Sequence, residues 1–144
     1  MKYLILVISV LFFASCVRLS NDEQYFLEVF ANRTDGLGIG FDEQQTFDYQ
    51  LRQKILKSDD ENIQRAFILT KLPRYLDWIL IDLEKGQRMI GKGIYKKLSK
   101  SDQDALIKKF KRGMNLYKKL DKNGHEHFYE KREKRLKSAL KPEA

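Results

Sequence analysis

From about residue 20 onward, apolar side chains recur three and four positions apart, and only Pro73 and Pro142 interrupt the chain. That spacing gathers apolar groups on one stripe of a helix and leaves little room for the two-residue alternation of half-buried strands. The expected fold class is therefore all-α: a small bundle of roughly five to seven short helices with an exposed basic C-terminal helix.

Capping and breaking signals divide the pattern. Ser20, followed by Asp22 and Glu23, opens a helix that runs to about Asn32. Gly36, Gly38 and Gly40 make a loop, and a second helix starts near Asp42 with Phe47, Leu51 and Ile55 four apart on one face. Ser58 and Glu61 have capping-box spacing at the start of a third, which carries Ile63, Phe67 and Ile68. Pro73 is expected to end that helix and begin the next. Residues 75–83 are apolar nearly all round, which predicts the most buried helix, with Trp78 central. Gly86, Gly91 and Gly93 are then expected to permit a helix kink or a close helix contact.

The clearest amphipathic pattern begins at Ser101, Asp102 and Asp104. Leu106, Phe110, Gly113, Tyr117 and Leu120 form one stripe, flanked by Ile107 and Met114. The opposite face carries Lys108, Lys111, Arg112, Lys118, Lys119 and Lys122. Asn123 and Gly124 end this helix. The last helix, roughly 125–140, has only a thin stripe of Phe128, Tyr129, Leu136 and Leu140, with Glu130–Lys134 and Glu133–Lys137 as favourable four-apart pairs. The expected core gathers around Phe47, Leu51, Phe67, Leu76, Trp78, Ile79, Leu106, Phe110 and Tyr117. A faint internal echo, Tyr-Lys-Lys-Leu at 95–98 and again at 117–120, could mark a duplicated helical unit.

Charge is unevenly spread. Residues 17–84 carry 8 Lys and Arg against 13 Asp and Glu, a net of −5, whereas residues 85–144 carry 19 against 7, a net of +12. Two readings follow. The halves can be solvated surfaces that attract each other on folding, or the basic half can present a face to phosphate, on lipid headgroups or another polyanion.

The motifs that usually carry chemistry are weak here. Residues 86–92 match G-x-x-x-x-G-K, but Gly93 stands where a phosphate loop needs Ser or Thr for magnesium. His125 and His127 are two apart, which on a helix points them about 200° from each other and prevents joint chelation. Asp77 and Asp82 are five apart and share no helix face, so they make no catalytic dyad; pairing with Arg74 or Arg88 would account for them. No catalytic set, metal site, nucleic-acid partner or cofactor beyond a covalent lipid is expected.

The N-terminus is the most specific segment. Lys2 precedes ten apolar or small residues, 4–13, and then Ala14, Ser15 and Cys16, the only cysteine. This is a secretory signal, too short for a convincing membrane span, which wants about 18 or more apolar residues. A plain secretory signal would leave an unpaired thiol in an oxidising compartment, which is disfavoured. Phe13-Ala14-Ser15-Cys16 resembles the lipobox of bacterial lipoproteins. That resemblance implies that Cys16 is lipidated and becomes the mature N-terminus. Val17, in place of an aspartate at the sorting position, then favours the outer membrane over the inner. The implied organisation is a signal peptide at 1–15, a lipidated tether at 16–19, a helical domain at 20–124, and a charged C-terminal helix and tail at 125–144.

The expected function is that of an envelope lipoprotein acting as a structural or adaptor protein, attached to a membrane by its lipid, with an anionic lipid or an envelope protein as partner. An alternative comes from two further resemblances. Asp82, Ile90-Gly91, Tyr95, Ser99, Gln103, Leu106 and Phe110 are similar in order to a stretch of the periplasmic phospholipid-shuttle proteins of the toluene-tolerance type. Residues 98–103 resemble the L-T-x-x-Q signature of all-helical periplasmic stress chaperones. These imply a carrier that shields lipid or unfolded chains.

Overall fold

The computed structural model describes residues 18–32, 45–91 and 93–141, and for 45–48 the backbone alone. The signal segment, Cys16, the glycines at 36, 38 and 40, the side chain of Phe47 and the helix start near Asp42 lie outside the described residues. Within them the order is α1 (Asn21–Asn32), α2 (Gln45–Leu56), α3 (Glu61–Lys85), β1 (Gln87–Gly91), β2 (Ile94–Lys97), α4 (Lys100–Leu120) and α5 (Glu126–Ala139). The expected all-α bundle is the observed architecture, with one small hairpin added.

Helix α1 begins where its signals predict. The Glu23 N–H donates to Ser20 Oγ at 3.2 Å and the Ser20 N–H donates back to Glu23 Oε1 at 3.3 Å, a reciprocal cap. The helix buries Phe26, Leu27, Val29, Phe30 and Ala31. The expected core omitted these residues although they lie at helical spacing.

Helix α3 departs from expectation twice. Its N-cap is Asp60, whose Oδ1 accepts the N–H groups of Asn62 at 3.0 Å and Ile63 at 3.3 Å. Ser58 caps the cap instead, accepting the Asp60 N–H at 3.1 Å. Pro73 does not end the helix but sits inside its 25 residues. A proline has no N–H for the carbonyl four residues back, a cost of about 3 kcal/mol. Here buried Ile68, Leu72, Tyr75, Leu76, Ile79 and Leu80 flank it on both sides, and the packing of one continuous apolar arc outweighs that loss.

The core forms where α1, α3 and α4 meet. Phe26, Ile68, Leu72, Leu76, Ile79, Leu80 and Phe110 are almost wholly excluded from solvent. Phe67, Trp78 and Tyr117 are partly buried at its margin. Trp78 is thus peripheral, not central, because the inner arc of α3 passes through residues 72, 76, 79, 80 and 83 and leaves 78 to one side. The Arg74 guanidinium lies over its ring at 5.1 Å. Leu51 is 49% exposed, against expectation, while Arg52 beside it is buried. Among the described side chains of α2, Ile55 and Leu56 of its last turn pack against the core. Gln64 locks that turn to α3 by donating to the carbonyls of Ile55, Leu56 and Ser58 at 2.9–3.2 Å.

The glycines after α3 build a hairpin rather than a helix kink. Gly86 ends α3 with φ 64°, donating to the carbonyls of Asp82 and Leu83, and Gly93 turns the chain with φ 72°. Strands β1 and β2 pair antiparallel, with Gln87 opposite Lys97, Arg88 opposite Lys96, Met89 opposite Tyr95 and Gly91 opposite Ile94, and with a bulge at Ile90. The internal echo is therefore not structural: its first copy lies largely in β2 and its second in α4.

Helix α5 presents an exposed basic outer face of Lys131, Lys134 and Lys137. Its inner face, with Tyr129 and Leu136 buried, packs on α3. Among the described residues neither expected four-apart pair forms an ion pair; Glu133 Oε1 lies 2.9 Å from Lys118 Nζ instead.

Candidate anion-binding face

Helix α4 fixes the direction of its lysines through its cap and its seam. Ser99 Oγ accepts the Asp102 N–H at 3.0 Å, and the Ser99 N–H donates to Asp102 Oδ2 at 3.3 Å. Those bonds hold the Asp102 carboxyl below the usual carboxylate range, with the nearby charges of Arg88 and Lys96 assisting. Along the seam α4 buries Leu106, Phe110, Gly113, Met114 and Leu116. At Gly113 a Cβ would stand 3.0 Å from Leu76 Cδ2 and 3.4 Å from Phe26 Cζ, so α4 lies unusually close to α3. A helix seated this tightly on one side must turn the other to water.

The six basic residues expected on that outer face divide into two groups. Lys108, Lys111, Lys119 and Lys122 are exposed, and none takes part in an ion pair among the described residues. Arg112 is half-buried, pairs with Asp22 and lies 4.0 Å above the Tyr25 ring. Lys118 pairs with Glu133 and lies over the Tyr129 ring at 5.4 Å. Two of the six therefore tie helices together, and four point outward.

A wider division underlies this. Three of the four arginines of the basic half pair with carboxylates of the acidic half: Arg112 with Asp22, Arg132 with Asp77 at 3.0 Å, and Arg135 with Asp77 at 3.4 Å and Glu84 at 2.8 Å; Arg88, on β1, forms no ion pair among the described residues. Asp77 thus finds its partners on α5 rather than in Arg74. Arg65 and Glu23, 2.6 Å apart, join α3 to α1. Guanidinium is the better partner for a half-buried carboxylate because its planar fork is preorganised and weakly hydrated. Lysines, strongly hydrated point charges, remain outside. The attraction between the halves is carried by arginine, and a lysine surplus is left on the surface.

The turn between α4 and α5 positions the last lysines of the face. Asp121 accepts from the Tyr129 hydroxyl at 2.7 Å and from the N–H groups of Asn123 and His125 at 3.2 Å, and His125 Nδ1 lies 2.8 Å from its Oδ2. The Tyr129 bond, followed by those from His125 and Asn123, holds the Asp121 carboxyl well below its ordinary range. Burial and the same carboxylate push the Tyr129 hydroxyl well up. The carboxylate is saturated with donors, which makes it a turn-fixing group. Among the described residues no three His, Cys, Asp or Glu side chains converge on a metal position. The G-x-x-x-x-G-K stretch forms the hairpin, so it lacks the strand-to-helix turn a phosphate loop requires.

Two cationic features were not singled out from the sequence. Along α5 an open groove of about 530 Å³ is bordered by Glu84, Lys131, Lys134, Arg135, Ser138 and Lys141. At the hairpin tip Ile90, Ile94 and Tyr95 are exposed among basic residues. The signal for the second was present: β-branched and aromatic residues on both sides of a Lys-Gly pair are a hairpin pattern. Among the described residues no helix is long and apolar enough to cross a membrane. Comparison with known proteins found no matching family model, no matching curated protein and no matching solved structure.

Proposed function

We propose that this chain is a bacterial envelope lipoprotein, attached through a lipid on Cys16, whose helical body acts as a structural or adaptor protein with a basic helical face. In this reading it binds and does not catalyse. The surface it meets is anionic, a headgroup layer or an acidic envelope protein. The supporting observation is the division of labour among cations: Arg112, Arg132 and Arg135 pair with Asp22, Asp77 and Glu84 of the acidic half, while Lys108, Lys111, Lys119 and Lys122 stay exposed and outside any ion pair among the described residues. A lysine near an anionic membrane surface contributes about 1 kcal/mol, so four together are enough to orient a body already held by its lipid. Val17 favours the outer membrane.

Two experiments test this. Labelled palmitate should enter the wild-type protein and not Cys16→Ser; equal labelling of both, or of neither, removes the lipoprotein assignment. Sedimentation of the body, from Val17 onward, with anionic vesicles should fall with rising salt, as screening shortens the Debye length, and with charge reversal at the four lysines. Binding that survives both treatments rejects the face. An acyl lipid that co-purifies after mild extraction would favour the carrier reading over the adaptor.

A further inference from the structure

Residues 85–100 hold six cations, Lys85, Arg88, Lys92, Lys96, Lys97 and Lys100, and no carboxylate. The hairpin sits in this stretch. Arg88 and Lys96 are direct cross-strand partners, an arrangement that opposes pairing because like charges face each other across the ladder. Beyond them, at the end remote from the helices, Ile94 is 58% exposed, Tyr95 52% and Ile90 45%. A two-stranded hairpin is marginally stable alone, and this one places apolar groups where they add nothing to the core. The hairpin is anchored at its base, where the Leu98 N–H donates to the Gly86 carbonyl at 2.9 Å and Leu98 packs against the core. An apolar tip, a cationic collar and a firm root together match the layered chemistry of an anionic bilayer.

We propose that the β1–β2 hairpin is a membrane-dipping element: Ile90, Ile94 and Tyr95 enter the boundary between headgroups and acyl chains, and Arg88, Lys96 and Lys97 meet lipid phosphates. The proposal rests on the lipoprotein reading for the presence of a membrane nearby. Tyrosine, with an apolar ring and a polar end, suits that boundary. Phosphates lying between the collar's cations would offset the repulsion that Asp82, near Arg88, and Asp102, near Arg88 and Lys96, relieve only in part. A strand from a protein partner is the poorer occupant, because the edges are four and five residues long and β2 carries Lys96 and Lys97, residues that discourage edge pairing.

The test uses the chain from Val17, which contains every buried core residue of the described structure. Cys16 is the only native cysteine, so Ile94→Cys and, separately, Asn115→Cys on the lysine face each place one thiol for an environment-sensitive dye. With phosphatidylglycerol-containing vesicles the dye at 94 should shift to the blue and be quenched by nitroxides on the acyl chains, and the dye at 115 should not. The double variant Ile90→Ser/Ile94→Ser should keep its helical circular dichroism and bind about tenfold more weakly per isoleucine replaced. If vesicles bind in a salt-sensitive way that needs the α4 lysines, while the dye at 94 stays aqueous and the serine variant binds normally, the hairpin proposal is overturned and the basic face stands. If binding needs the isoleucines but not the α4 lysines, the hairpin stands and the face is rejected. Absence of binding at low salt overturns both. Shielding of the dye by added envelope protein, with none by vesicles, would assign the tip to a protein and overturn the proposal as well.

Discussion

Helices α4 and α5 are both rich in lysine, yet different forces hold them to the molecule. Helix α4 buries a continuous seam from Leu106 through Phe110 and Gly113 to Leu116 against α3 and α1. Helix α5 buries only Tyr129 and Leu136, with Phe128 stacked on Tyr117 at 4.6 Å, and draws the rest of its attachment from Arg132, Arg135 and the Lys118–Glu133 pair. The comparison teaches that a basic helix can be part of the core or a polar appliqué, and that the width of its apolar stripe decides which. It also implies that α5 opens at lower free energy than α4, because partly exposed ion pairs contribute little and salt screens them.

The largest effect is expected in the seam. Phe110→Ala should cost about 3–5 kcal/mol of global stability, read from denaturant melts, because its ring is 1% exposed and its neighbours cannot all collapse into the space. A loss under about 1 kcal/mol would break the comparison, since α4 would then be no better seated than α5. A smaller, local effect is expected on the other helix. Asp77→Asn weakens the contacts that receive Arg132 and Arg135, and should cost about 1 kcal/mol or less. Amide exchange should quicken in α5 and stay unchanged in α4, and high salt should produce the same pattern in the wild type. Equal quickening in both helices would show that they open as one unit.

A pH-dependent effect sharpens the role of α3, on which both helices lie. Burial pushes the Asp82 carboxyl up from 3.8 to about 6, against the opposing pull of Lys85 and Arg88. A raised carboxyl binds its proton more tightly in the folded state, so stability falls as pH rises between about 4 and 6 and stays reduced above that. Asp82→Asn should therefore melt higher than the wild type at pH 7, with the difference closing below pH 4. A constant difference across that range would mean that the substitution acts through packing and not through the charge.

Much of this architecture was legible in local patterns. The α4 stripe, its outward lysines and the Ser20 cap of α1 all depend on contacts within one helix, which spacing alone reports. The failures share a cause as well. Pro73 reads as a stop because its local cost is visible and the arc that overrides it is assembled from three helices. Trp78 reads as central because size and surroundings say core, whereas the direction of the inner arc depends on where α1 and α4 lie. The hairpin is hard to read because its strands are only five and four residues long and β2 is half lysine, and it is rooted on the core rather than buried in it.

The sequence by itself determined the helical character, the amphipathic faces and the charge asymmetry, since each follows from periodicity and composition along a single element. Only the tertiary structure decided which cations remain available. Arg112, Arg132 and Arg135 lie far along the chain from Asp22, Asp77 and Glu84, and no local pattern links them. Folding brings guanidinium to carboxylate where burial makes a preorganised partner worth most, and leaves the more strongly hydrated lysines at the water-facing surface.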